Sequence, residues 1–130
     1  MTRLQKKLSA AVGLGIAAAT SLVTLAATPA SASSEYGCDW PKVCFYLTSS
    51  DWLHDSPTAA YQDITSYYQT LGSQSRGSHA VFNSRNDDRA MLRYTYRGTT
   101  HYFCLNPNSD IEFDSDATVT GIKIQDASSC

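Results

Sequence analysis

Four cysteines, Cys38, Cys44, Cys104 and Cys130, constrain what this chain can fold into more than any other feature. An even set in a short chain reads as two disulfides, provided the chain leaves the reducing interior of the cell. The first 32 residues meet that condition. Arg3, Lys6 and Lys7 make a positive start, and Leu8 to Ala27 carries no charge. Pro29 breaks the apolar pattern, and Ala30-Ser31-Ala32 offers the small side chains that signal peptidase accepts. Met1 to Ala32 is therefore expected to be a signal peptide removed on export. What remains is a secreted, extracellular protein, residues 33–130, forming a single disulfide-stabilised β domain. A membrane anchor is the rival reading of the leader. Its alanine richness, Thr20, Ser21, Thr24 and the cleavage motif argue against one, so no stable membrane insertion is expected after cleavage.

Zinc is the other use for four cysteines. No C-x-x-C occurs, and the spacing Cys38-x5-Cys44 fits no common zinc finger, so no metal site is expected. Three disulfide pairings are open. Cys38 and Cys44 flank the turn-like Asp39-Trp40-Pro41-Lys42-Val43 and can bridge locally, which would leave Cys104 to tie down Cys130. That pairing is favoured over the other two without excluding them.

Residues 33–130 carry all twelve acidic residues but only seven of the ten basic ones, a formal charge of -5. This charge argues against nucleic acid as a partner, and the hydrophobic content excludes a highly charged disordered chain.

Strand patterns dominate. Val43, Phe45 and Leu47 alternate within Val43 to Leu47, and Ala90, Leu92, Tyr94 and Tyr96 alternate with Arg89, Met91, Arg93, Thr95 and Arg97. His79 to Asn83, Thr99 to Leu105 and Thr118 to Ile124 are further β-branched and aromatic runs, separated by turn residues such as Arg97-Gly98 and Asn106 to Asp110. One segment differs. After Ser56-Pro57, Tyr61, Ile64, Tyr68 and Leu71 recur at helical spacing and predict a short helix over 57–70. The expected fold is mainly β, a small antiparallel sandwich with at most that one helix. The tyrosines are assigned to core and sheet packing, whereas Trp40 and Trp52 sit in polar settings that suit partial exposure.

Catalytic chemistry finds little footing. His54 lies between Asp51 and Asp55 in a polar loop, and His79 and His101 belong to strands. No zincin, nucleophile-elbow or P-loop pattern occurs, so the chain is not expected to be an enzyme. Arg85, Arg89, Arg93 and Arg97 recur every fourth residue, and on a strand Arg89, Arg93 and Arg97 would share one face, expected to be a solvated outer surface. Asp110, Glu112, Asp114 and Asp116 alternate along what is expected to be an exposed acidic edge strand.

Several short motifs carry a resemblance. They are Cys38-x5-Cys44-Phe45-Tyr46, Gly77-Ser78-His79-Ala80-Val81-Phe82-Asn83-Ser84-Arg85, and Leu92-Arg93-Tyr94. Gly98, Tyr102-Phe103-Cys104-Leu105-Asn106-Pro107 and Val119-Thr120-Gly121-Ile122-Lys123-Ile124 complete the series. Together they resemble the small secreted actinobacterial proteins of peptidase inhibitor family I36, whose fold is βγ-crystallin-like. The resemblance implies two Greek-key halves. Val43 to Leu47 and Ala90 to Tyr94 would be equivalent opening strands, and Asp63 to Ser66 and Thr118 to Gly121 equivalent closing stretches. The calcium signature of such domains is degraded, because Asp87-Asp88 is followed by Arg89-Ala90-Met91-Leu92 and Asp116 by Ala117, so no cofactor is expected. Where the family has a Pro-Gly turn this chain has Pro107-Asn108, and asparagine also tolerates positive φ.

The resemblance implies a secreted, non-enzymatic inhibitor of extracellular peptidases, metallopeptidases among them, acting by loop occlusion. The first candidate loop holds Trp40, Pro41 and Lys42 between Cys38 and Cys44, and the second begins Leu105-Asn106-Pro107 beside Cys104. The rival expectations are a βγ-crystallin-like binding or antimicrobial module that recognises cell-wall glycan or membrane, and a structural cell-envelope protein.

Overall fold

Alternating β-branched and aromatic residues pair into two four-stranded antiparallel sheets in the computed structural model, which describes residues 34–130. The leader Met1 to Ala32 lies outside the described residues. A short hairpin of β1 (Ser34–Glu35) and β2 (Cys38–Asp39) comes first. Then follow β3 (Val43–Tyr46), α1 (Ser49–Leu53), β4 (Ala59–Tyr61), β5 (Gln69–Thr70) and β6 (Ala80–Asn83). The second half of the chain supplies β7 (Arg89–Tyr96), β8 (Thr99–Leu105), β9 (Ser109–Glu112) and β10 (Ala117–Gln125).

The strand orders are β4-β3-β6-β9 and β5-β10-β7-β8. Each sheet takes three strands from one half of the chain and one from the other, since β9 crosses to the first sheet and β5 to the second. Read in matching directions, the two orders superpose β3 on β7, β4 on β8, β6 on β10 and β9 on β5. The strand in the position of β10 is therefore β6. Asp63 to Ser66, expected to close the first half, lies in the connection between β4 and β5.

The helix expected over 57–70 is absent. Ala59–Tyr61 pairs with β3, Gln69–Thr70 pairs with β10, and Ile64 forms an isolated bridge with Ile124 between them. The four residues at helical spacing do not share a face. Tyr61 packs its ring 5.4 Å from Phe45 and Leu71 is buried, but Ile64 is exposed. Tertiary pairing with two different sheets overrides the local pattern. Among the described residues the one helix is α1, set by a capping box: the Asp51 N–H donates to Thr48 Oγ1 at 3.1 Å, and the Thr48 N–H donates to Asp51 Oδ2 at 3.0 Å.

Val43 and Phe45 from β3, Val81 from β6, Ala90 and Leu92 from β7, and Val119, Ile122 and Ile124 from β10 fill the space between the sheets. The opposite face of β3 and β6 is buried as well. Cys38, Cys44, Tyr46, Ala80 and Phe82 form a second cluster there, with Trp52 of α1 packed on it. The β1–β2 hairpin and α1 thus cover the outside of the first sheet. Gly37 turns that hairpin at φ 73°, where a Cβ would sit 2.1 Å from the Asp55 carbonyl oxygen, so no other residue fits.

Tyr36 stands 4.6 Å from Trp52 and 5.0 Å from Phe82 between ring centroids, and its carbonyl accepts the Tyr46 hydroxyl at 2.7 Å. Both disulfides follow the favoured pairing, Cys38–Cys44 and Cys104–Cys130. The second closes a long loop and is worth about 3 kcal/mol on a chain-entropy account.

Burial, reinforced by the charge of Asp55, pushes the Tyr46 phenol far above its usual range. A raised folded-state value means the contribution is complete below the ordinary tyrosine pKa of about 10 and is lost as pH rises beyond it. Urea titrations across alkaline pH are expected to show stability falling above about pH 10, and falling less steeply in Tyr46→Phe. Identical profiles would contradict the assignment.

Candidate functional site: two loops hung from one buried ion pair

The chain leaves β6 through Asn83-Ser84-Arg85 and re-enters the fold at β7, and this short passage organises one end of the sandwich. Arg85 is 8% exposed and Asp88 4%. The Arg85 Nε donates to Asp88 Oδ2 at 2.7 Å, and Nη2 pairs with the same oxygen. The remaining Arg85 group is also satisfied: Nη1 donates to the carbonyls of Pro41 at 2.8 Å and Gln62 at 3.1 Å. A buried charge pair is tolerated when its leftover donors are bonded in this way.

Asn83 works beside it. Its Nδ2 donates to the Asp88 carbonyl at 2.9 Å and to the Leu105 carbonyl at 3.3 Å, and its Oδ1 accepts the Arg85 N–H at 3.1 Å. Ser84 reaches the other way. Its N–H donates to the Lys42 carbonyl at 3.0 Å, and its hydroxyl lies 2.6 Å from that oxygen and 3.0 Å from the Asp39 carbonyl.

Both loops singled out in the sequence hang from this passage. The first is closed by the Lys42 N–H donating to the Asp39 carbonyl at 3.0 Å and bridged at its base by Cys38–Cys44; its Trp40–Pro41 peptide is cis. Trp40 is 42% exposed, Lys42 is exposed and Pro41 half-buried. A shallow cleft of about 250 Å³, lined in part by Gly37, Lys42, Pro57 and Ala60, opens beside it.

The second loop is held by the Asn108 N–H donating to the Arg85 carbonyl at 3.0 Å, and by Asn106 Oδ1 accepting the Cys130 N–H at 2.9 Å. Asn108 takes φ 55°, the left-handed conformation expected of it in the turn after Pro107. Asn106 is exposed and Pro107 half-buried. Leu105 is not a surface residue. At 2% exposure it ends β8 inside the main core, so it anchors the loop and presents nothing to a partner.

Other expectations resolve differently. Trp52 is half-buried in the aromatic cluster while Trp40 is the exposed indole. Of the arginine series, Arg85 is a buried clamp, which strand periodicity does not reveal. The Asp51 carboxylate caps α1, and His54 Nδ1 faces the Ser50 carbonyl at 2.8 Å. His79 Nε2 lies 3.1 Å from Glu112 Oε1 at the edge strand β9, and His101 stacks on Tyr94. Among the described residues no three His, Cys, Asp or Glu side chains converge on a metal-sized site, and Asp88 of the Asp87-Asp88 pair is committed to Arg85.

Compared with known proteins, the chain matches no family model, no curated protein and no solved structure.

Removing Arg85 leaves the Asp88 carboxylate buried without its partner. Arg85→Met is expected to cost about 3–5 kcal/mol in urea denaturation. A loss below about 1 kcal/mol, the scale of an exposed pair, would contradict the role assigned here.

Proposed function

We propose that this chain is a secreted, non-enzymatic binding protein that inhibits an extracellular peptidase by placing the Cys38–Cys44 loop in the enzyme's cleft. Trp40 is the apolar anchor and Lys42 the basic side chain on its flank. The loop around Asn106 to Asn108 borders the contact. One observation carries this reading: the Trp40 loop is bridged at its base and hydrogen-bonded from beneath by Ser84 and Arg85. A loop ordered before it meets its target loses little conformational entropy on binding, and most of its contact energy then appears as affinity. If the enzyme cuts the loop, the bridge and the clamp keep both ends in place and the cleaved bond can re-form.

The motifs that resemble family I36 support the same reading. So does the exchange of β5 and β9 between sheets, which is what two intertwined Greek keys of βγ-crystallin type would produce. The leader and the two disulfides support export.

Titration against a panel of secreted serine, cysteine and metallopeptidases tests the proposal. One class is expected to be inhibited stoichiometrically at micromolar protein. Trp40→Ala and Lys42→Ala should each raise the inhibition constant about 10- to 100-fold without lowering thermal stability. Absence of inhibition across the panel, or inhibition indifferent to both substitutions, would overturn it.

A further inference from the structure

The two sheets differ in charge and in cover. Strands β5, β7, β8 and β10 contain the bases Arg89, Arg93 and Lys123 and no acid. Strands β3, β4, β6 and β9 contain the acids Asp110 and Glu112 and no base. In a domain whose formal charge is -5, this gathers a cationic field on one sheet. The outside of the acidic sheet is covered by the β1–β2 hairpin and α1, whereas on the basic sheet the described residues leave Tyr102 58% exposed.

The outer surface of the basic sheet is built rather than incidental. Leu92 and Ile122 point into the core, so alternation puts Arg93 and Lys123 on the outside. Tyr68 sits between them, with Lys123 Nζ 4.8 Å and Arg93 Cζ 5.5 Å from its ring centroid and the Tyr102 ring 5.4 Å away. Arg93 is steered from behind by Thr120, whose Oγ1 and carbonyl accept Nε at 3.1 Å and Nη2 at 3.2 Å. Gly121 leaves room for the guanidinium, which a Cβ would approach to 2.8 Å. Among the described residues neither Arg93 nor Lys123 has a carboxylate partner. Two ordered cations without counter-charges, set beside the exposed Tyr102 ring on the outer sheet face, suit a ligand that is anionic and ring-bearing at once.

We propose that the outer face of the β5-β10-β7-β8 sheet binds an anionic polysaccharide, with Tyr102 against a sugar ring and Arg93 and Lys123 pairing with its carboxylates. This site is separate from the Trp40 loop and does not depend on peptidase inhibition.

Binding of the intact disulfide-bonded protein to polygalacturonate, measured by isothermal titration at low salt, tests it. Two controls are fully methyl-esterified polygalacturonate, which keeps the rings without the charge, and polyglutamate, which keeps the charge without the rings. The native protein should bind polygalacturonate at least about tenfold more tightly than either control. Lys123→Glu should weaken that binding about tenfold or more, and Tyr102→Ala should weaken it several-fold while leaving any affinity for polyglutamate unchanged. Trp40→Ala should bind as the native protein does. Failure to bind polygalacturonate, equal binding of polyglutamate, or indifference to Lys123→Glu and Tyr102→Ala in variants with native thermal stability would overturn the proposal.

Discussion

The guanidinium of Arg85, buried against Asp88 where the chain passes from its first half to its second, fixes the connections at one end of the sandwich. It holds the Trp40 loop through the Pro41 carbonyl and the β4–β5 connection through the Gln62 carbonyl. The adjoining Asn83 and the Arg85 backbone hold the loop after β8. A small domain is stable by only about 5–15 kcal/mol, so a clamp whose loss costs a few kcal/mol is a large share of the total. Hydrophobic burial alone would assemble the sheets but would leave these connections to solvent and chance. The polar passage gives each loop one position.

Strand exchange makes the same point at larger scale. Because β9 completes the sheet of the first half and β5 that of the second, neither half has a finished sheet of its own. The core between them is shared, with Val43, Phe45 and Val81 from one half facing Leu92, Val119 and Ile122 from the other. The second cluster joins Cys38 of the hairpin to Cys44, Tyr46 and Phe82 on the outside of the first sheet and is closed by Trp52. That closure is why one sheet is covered on both faces while the other keeps an open face with Tyr102 and Lys123.

Much of this was legible in the residues. The alternation in Arg89 to Tyr96 placed Ala90 and Leu92 inward, and the runs at Thr99 to Leu105 and Thr118 to Ile124 became β8 and β10. The acidic alternation became an edge strand as far as Glu112, and the turn chemistry of Arg97-Gly98 and Pro107-Asn108 held. The misreadings have a common cause. Tyr61, Ile64, Tyr68 and Leu71 matched a helical period, yet their partners lie in two different sheets, and a local pattern carries no record of long-range pairing. Thr48-x-x-Asp51 was an available signal for α1 and outweighs the Ser56-Pro57 pair. Arg85 shares the four-residue spacing of Arg89, Arg93 and Arg97, and nothing in its neighbours announces that Asp88 folds back onto it. Leu105 adjoined a loop in sequence but belongs to the core in space.

Both loops are parts of the folded body, held through Ser84 and Arg85 before any partner arrives. Amide hydrogen exchange measures this directly, since the Lys42, Ser84 and Asn108 N–H groups donate to the carbonyls of Asp39, Lys42 and Arg85 respectively. The three amides should exchange nearly as slowly as those of β7 and β10, through global rather than local opening. Exchange at the rate of freely solvated loops, with β7 and β10 still protected, would contradict it.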